Sequence, residues 1–266
     1  MTLAKISLSV FLGLIIISLS SPLPVRAEEL TNSLGMKFVL IPAGTFAIAA
    51  ELQRIASLED NPERRVTLTK PFYLGVYEVT QAQWAAVMGD NPSEFKGDSH
   101  PVEMISWDDA AAFVDKLNQT RNEGTYRLPT EAEWEFSMLA GTTAANFWGD
   151  NQDDNSLFAW HSGNSGDGTH PVGETKPNPW GLYDILGNVD EWVSGWAAEN
   201  YYGDGPYTDP PGATNGTERV NRGGSWGDWG NKSFYRQTEA TDESNHNWGL
   251  RLVFEPTRTK RLLLRR

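Results

Sequence analysis

The stretch Asp184-Ile-Leu-Gly187-Asn-Val189-Asp-Glu191-Trp192 sets two carboxylates seven residues apart around a glycine that lets the chain turn tightly. Hard cations such as calcium collect six to eight oxygens at about 2.3–2.6 Å, mixing carboxylates with backbone carbonyls. A loop of this kind can wrap one ion; the plainer reading is a turn capped by its own acids. The four histidines, His100, His161, His170 and His246, show neither helical nor short ligand spacing and read as ordinary loop residues. A second chemically conspicuous stretch runs from Asn221 to Trp248. It strings together small, polar and aromatic residues, with Asp228, Trp229, Asn231, Ser233, Tyr235, Gln237, Asn245 and His246 among them, and hardly any aliphatic one. Aromatic anchors beside short polar groups suit adaptable contacts, and a rigid scaffold carrying such a patch suits recognition. Asp228 or Glu239 could instead serve as a general base if a desolvated setting raised its pKa. No residue pair singles out that role.

Elements able to position these residues can be placed from local signals. Three helices declare their starts by capping boxes, in which a Ser or Thr oxygen accepts from a backbone N–H three residues on and an acid or amide there returns the bond. Thr80 with Gln83 opens one that carries Trp84, Val87 and Met88 on one face and stops at Gly89. Ser106 with Asp109 opens a second, through Leu117, and Thr130 with Glu133 a third, burying Trp134, Phe136 and Leu139 before Gly141. Strand signals fall at Lys37 to Ile41, Arg65 to Leu68, Phe72 to Val76 and Leu250 to Phe254, the last with apolar residues alternating around Arg251. From Gly141 to Asn247 periodicity is weak. Such a stretch argues against a compact domain unless something other than hydrogen-bonded ladders pins it.

Residues Met1 to Ala27 read as a signal peptide: Lys5, an apolar run from Ile6 to Leu19, and small residues at Val25-Arg26-Ala27. The run falls short of the roughly 20 residues that span a bilayer, and Pro22 and Pro24 interrupt it. Export with cleavage is therefore expected, leaving residues 28–255 as one domain and 256–266 as a basic, solvated C-terminal tail. Cleavage removes Lys5 and Arg26 but no acid, which takes the formal charge from −13 to −15. Such a surface repels nucleic acid and anionic lipid, so neither is an expected partner. With no cysteine, an exported chain must hold together without disulfides, through a large core or a metal. Eleven tryptophans, all beyond residue 80, supply core surface, while 25 glycines and 15 prolines mark a loop-rich chain.

Several phrases follow one another in fixed order: Phe72-Tyr-Leu-Gly-Val-Tyr-Glu-Val-Thr-Gln-Ala-Gln-Trp84, His100-Pro-Val102 with Ser106-Trp107, Tyr126-Arg-Leu-Pro-Thr-Glu-Ala-Glu-Trp-Glu135, Asn178 to Trp192, Arg222-Gly-Gly-Ser-Trp226, and Gly249-Leu-Arg251. Their order and spacing closely resemble the formylglycine-generating-enzyme, or sulfatase-modifying-factor, family over roughly Gly35 to Phe254. The resemblance implies one α+β domain, a variant of the C-type lectin fold that is poor in regular secondary structure and stiffened by calcium. It also implies calcium ligands at Asp184 and Glu191 through side chains and at Gly187 and Val189 through carbonyls. The family's other calcium site has no counterpart that aligns within Phe158 to Gly168. Near the start, Ala47-Ile48-Ala49-Ala50 stands where members often carry Met-Gly after Gly-Thr-Phe. In the family's formylglycine-generating enzymes two cysteines bind copper(I), the third and eighth residues after the serine of Arg-Gly-Gly-Ser; here those positions hold Asp228 and Ser233. A carboxylate and a hydroxyl cannot replace soft thiolates, so neither copper binding nor formylglycine-generating activity is expected.

Some exported members resemble this chain further: they are ligand-binding proteins whose segment between the Gly-Gly-Ser-Trp and Gly-Leu/Phe-Arg phrases is diversified by a retroelement. That resemblance implies a secreted or periplasmic binder of a protein or glycan, free of the membrane after signal cleavage. Its ligand surface would draw on Asn221, Asp228, Trp229, Asn231, Ser233, Tyr235, Gln237, Asn245, His246 and Trp248. Two alternatives stay open. One is a periplasmic enzyme of cysteine-independent chemistry, as in the oxidative maturation of secondary metabolites in which other cysteine-free relatives are implicated; the other is a structural module of an envelope complex.

Overall fold

All three capping boxes form in full. The computed structural model describes residues 28–47, 65–142, 146–149, 155–198, 207–229 and 235–257, so the signal segment, Asn231, Ser233 and most of the basic tail lie outside the described residues. Thr80 opens helix α1, Gln81–Met88; Ser106 opens α2, Trp107–Thr120; Thr130 opens α3, Glu131–Leu139. Gly89 and Ala140 close the first and third in the left-handed conformation that frees the last carbonyls for capping. A single further turn, α4, covers Asn155–Phe158.

Twelve strands form three sheets among the described residues. The largest contains β1 (Glu29–Thr31), β2 (Lys37–Ile41), β5 (Phe72–Gly75), β12 (Val253–Pro256) and β6 (Gly124–Arg127), side by side in that order and all antiparallel. A second sheet runs β10 (Arg236–Ala240), β9 (Glu218–Arg222), β7 (Asp190–Trp196) and β11 (Trp248–Leu250), with β11 parallel to β7. The small third sheet joins β3 (Gly44–Ala47), β4 (Arg65–Leu68) and β8 (Tyr207–Thr208). Successive strand side chains point to opposite faces, and the five-stranded sheet uses both. Val39, Leu74 and Val253 enter a core with Trp134, Phe136 and Leu186, while Phe38, Tyr73 and Phe254 enter another with Trp84, Phe113 and Trp192. Stacked rings bind the second core: Tyr126 lies 4.7 Å from Phe254, and Trp84 4.9 Å from Phe113.

Two sequence expectations change. The stretch from Gly141 to Asn247 holds β7, β9 and β10; β7 and β9 are buried along most of their length, so no polar-apolar alternation betrays them. The strand expected from Leu250 to Phe254 is two strands in different sheets, broken at Arg251 and Leu252. Arg251 causes the break. Its guanidinium, wholly buried, donates to the Glu191 carboxylate at 2.7 and 2.9 Å, to the Gly75 carbonyl at 2.9 Å and to the Tyr183 carbonyl at 2.8 Å. The indole N–H of Trp134 completes the carboxylate's shell at 2.8 Å. No helix among the described residues is long and apolar enough to cross a membrane.

Removing one member of a buried pair leaves the other charged and unpaired, a change that costs about 3–5 kcal/mol. Arg251→Met is expected to lower the unfolding free energy from urea titration by that amount, with a matching fall in the midpoint, and Glu191→Gln on the same background to restore part of it. A midpoint unmoved by Arg251→Met would show that the pair does not hold the core.

Candidate functional site

The four-stranded sheet positions most of the polar segment. Directly opposed residues in a ladder share a face, and here Gln237 opposes Asn221, Asn221 opposes Trp192, Glu239 opposes Arg219, and Arg219 opposes Trp196. One face therefore gathers Arg219, Asn221, Gln237, Glu239, Trp192 and Trp196. The other carries Glu191, Arg222 and Arg236 towards α3, where Arg236 binds Glu131 at 2.8 Å and Arg222 lies 3.6 Å from Glu135. On the first face the Arg219 guanidinium is clamped between two indoles, 3.6 Å from the Trp107 centroid and 3.5 Å from that of Trp196, and donates to the Ser194 carbonyl at 2.8 Å. Burial depresses its pKa, and Asp108 partly opposes that effect. Beside it Glu239 is pushed above the usual carboxylate range by burial, then by the charges of Glu243 and Glu218.

At the end of this face lie the other expected ligand residues among those described. Trp229 stands 83% exposed, whereas Asn221 and Trp248 are buried beneath the surface, the latter edge-on to Trp192 at 5.3 Å. The His246 ring packs on Trp226 at 5.2 Å, its carbonyl accepts from the Trp226 indole at 3.2 Å, and Asn245 bridges to Ile105. Asp228 folds back so that its Oδ2 accepts from the Ser225 amide at 2.8 Å and hydroxyl at 2.6 Å. The charge of Asp228, followed by burial, raises the Tyr235 hydroxyl pKa. The structure thus brings Asp228, Tyr235, Gln237, Asn245, His246 and the buried Asn221 and Trp248 to one end and face of one sheet.

Four contributors to this side of the sheet escaped the sequence reading. Trp107, Trp196 and Arg219 are scattered over more than 100 residues and carry no local signature. Asp190 escaped because it sits inside the glycine loop phrase. Its carboxyl is fully buried; the Gly224 amide donates to Oδ1 at 2.9 Å, and Oδ2 has no hydrogen-bond partner among the described residues. Burial, then the charge of Asp228, pushes Asp190 well above the usual carboxylate range.

The expected calcium loop lies on the opposite side of β7. Asp184, Gly187 and Asn188 take positive φ of 51, 82 and 59°. Asp184 Oδ2 accepts from the Gly173 amide at 2.6 Å and Oδ1 from the Thr175 hydroxyl at 2.8 Å, while Glu78, absent from the sequence reading, accepts from Asn188 Nδ2 at 2.9 Å and the Val189 amide at 3.2 Å. Burial raises the pKa of Glu78, Asp184 and Glu191 alike, Glu78 most strongly, with Asp184 and then Glu191 adding to the effect there. Three buried acids surround the single guanidinium of Arg251. Each Asp184 oxygen keeps a lone pair free. Glu191 does not, because Arg251 and Trp134 already load both of its oxygens. Among the described residues no three acids or histidines converge on a metal point.

A family model described as the sulfatase-modifying factor enzyme 1-like domain matches residues 25–256. The chain is 32% identical over 237 residues to the chaperone protein LppX of Paenibacillus barcinonensis, covering 71% of this chain and 78% of that one. It is 33% identical over 222 residues to the formylglycine-generating enzyme of Streptomyces coelicolor, covering 77% and 68%. Among solved structures, Treponema denticola variable protein 1 superposes with a TM-score of 0.76 at 30% identity, over 86% of this chain and 99% of that one. PvdO from Pseudomonas aeruginosa, at 22% identity and a TM-score of 0.72, shares the fold. With few helices and curled sheets, the architecture is the formylglycine-generating-enzyme variant of the C-type lectin fold. The chain accordingly belongs to the sulfatase-modifying factor family, as a member without cysteine.

Proposed function

We propose that this protein is an exported ligand-binding member of its family, acting in a secreted or periplasmic setting through the face built by Arg219, Gln237, Glu239 and the Asp228 to Trp248 segment. The observation that carries the reading is the clamp of Arg219 between Trp107 and Trp196. It fixes a nearly buried guanidinium, covered by an indole on either side, as a rigid support for the adaptable residues around it, the arrangement that recognition surfaces favour. Relatives named as a chaperone and as a variable protein fit binding better than turnover. Aromatic side chains with amide and carboxylate neighbours suit a protein or glycan ligand. The absent thiols remove the copper(I) chemistry that the family's enzymes use.

A second reading, an enzyme of cysteine-independent chemistry, is favoured by one observation: Asp190, held towards its protonated form, adjoins Asp228 as an acid beside a base. The two readings separate on one residue. An enzyme that uses Asp228 as its base loses turnover in Asp228→Asn, whereas a binder has no turnover to lose.

On a glycan array and a panel of purified envelope proteins, the ligand surface is expected to give at least one specific signal. Arg219→Ala and Gln237→Ala should each weaken it about tenfold, equivalent to about 1.4 kcal/mol. Retention of full affinity by both variants would move the ligand site elsewhere. Incubation of the copper-loaded protein with a cysteine-containing peptide is expected to yield no aldehyde by mass spectrometry; aldehyde formation would refute the loss of the family's oxidase activity.

We also propose a structural calcium ion on Asp184 and on the carbonyls of Gly187 and Val189, with Glu191 serving Arg251 instead. An ion bound only by the folded form stabilises by mass action. Chelator should therefore lower the melting temperature, and Asp184→Ala should abolish that response. Identical melting curves with and without chelator would rule this ion out.

A further inference from the structure

We propose that Asp190, Asp228 and the amide oxygen of Asn247 form a separate site for one hard divalent cation at the base of the ligand face. The backbone brings the groups together. Consecutive amides hold the two carboxylates side by side: Gly224 N–H on Asp190 Oδ1 at 2.9 Å, and Ser225 N–H on Asp228 Oδ2 at 2.8 Å. Gly223 and Gly224 make this turn at φ of 112 and 71°, where a side chain is strained. Asn247 is tied to both acids. Its carbonyl accepts from the Asp190 amide at 2.8 Å, and its Nδ2 donates at 3.2 Å to the Ser225 hydroxyl that binds Asp228. That bond fixes the orientation of the amide and leaves Asn247 Oδ1 as a buried acceptor without a hydrogen-bond partner among the described residues.

The acceptors outnumber what serves them. Asp190 is 0% exposed with Oδ2 unpartnered, and Asn221, equally buried on the same sheet face, has neither amide atom partnered among the described residues. A buried anion is unfavourable unless a proton or a cation meets it. The neighbouring bases make their close contacts elsewhere: Arg222, whose charge is still felt at Asp190, and Arg236 face α3, Arg219 lies between its two indoles, and His246 Nδ1 lies 3.3 Å from Glu94. Asp190 Oδ2 and Asn247 Oδ1 are buried oxygens without a hydrogen-bond partner among the described residues, and the unpartnered N–H groups of the same face belong to Asn221 and Trp248. Two carboxylates balance a divalent charge, with the Asn247 amide and the Tyr235 hydroxyl as neutral additions, and such a set selects calcium, magnesium or manganese over copper. Adjacent strand residues point to opposite faces, so this site lies across β7 from the Asp184 loop. It stands whether or not the surface above it binds a ligand.

The test is isothermal titration of the chelator-stripped full-length protein with Mn²⁺, supported by Tb³⁺ luminescence excited through tryptophan. Wild type is expected to bind an ion whose affinity falls at least tenfold in Asp190→Asn and Asp228→Asn and persists in Asp184→Asn, with near-ultraviolet circular dichroism confirming the fold. Asp228 is partly exposed, so its variant, with Asn247→Ala, decides the matter if Asp190→Asn fails to fold. Unchanged affinity and stoichiometry in Asp228→Asn and Asn247→Ala would overturn the site. Absence of any Mn²⁺ or Tb³⁺ binding by wild type would overturn it too, and would leave a proton shared between the two acids in the ion's place.

Discussion

A guanidinium with no access to water governs how this chain is assembled. Arg251 reaches Glu191 on β7, the Gly75 carbonyl at the end of β5 and the Tyr183 carbonyl, and through Glu191 it meets Trp134 on α3. These groups lie up to 176 residues away along the chain. Each contact alone is worth little once desolvation is counted, but a buried arginine with any one of them missing is worse than none. The segments must therefore arrive together. That requirement ends β11 at Leu250 and starts β12 at Val253 in another sheet, so one residue couples the two large sheets and their cores.

The face that carries Arg219 and Gln237 inherits its geometry from this joint. Because Arg251 is fixed on Glu191, the three residues before it must run parallel to β7, with Gly249 opposite Glu191. A side chain at Gly249 would meet Val189 Cγ2 at 2.7 Å and the Val102 carbonyl at 2.8 Å, so glycine is required for that approach. Trp248 is then delivered against Trp192, and the loop before it falls over Trp226 and Phe95. The two ends of the polar segment, Arg222 and Arg251, are anchored in buried ion pairs, and Arg222 also donates to the Tyr235 carbonyl at 2.9 Å within it.

What could be read from the sequence was local or family-wide. Thr80, Ser106 and Thr130 announce their helices because a capping box is closed within four residues. Strands such as Lys37–Ile41 show because apolar residues crowd them. β7 and β9 stayed hidden: strands buried on both faces lose the alternation that marks a half-exposed one, and Asp190, Glu191, Asn221 and Arg222 within them look like loop residues. The fixed order of the phrases supplied the fold, but not the role of Glu191, which reads as a metal ligand until Arg251 is seen in contact with it. The Arg219 clamp could not be anticipated, since Trp107 and Trp196 carry no sign that they meet.

β7 presents consecutive acids to opposite faces, and the two are treated differently. Glu191 has both oxygens occupied by Arg251 and Trp134, so its charge is compensated within the fold and the core around it is fixed. Asp190 receives one amide on one oxygen and faces another acid. Packing alone does not explain an unsatisfied carboxyl beneath a polar surface, because an apolar residue of similar size would sit there at lower cost. The fold thus completes one side of the strand and leaves a buried, incompletely bonded carboxyl on the other. An unsatisfied buried polar group of this kind calls for a partner, and the imbalance between Glu191 and Asp190 distinguishes that end of the sheet from the rest of the core.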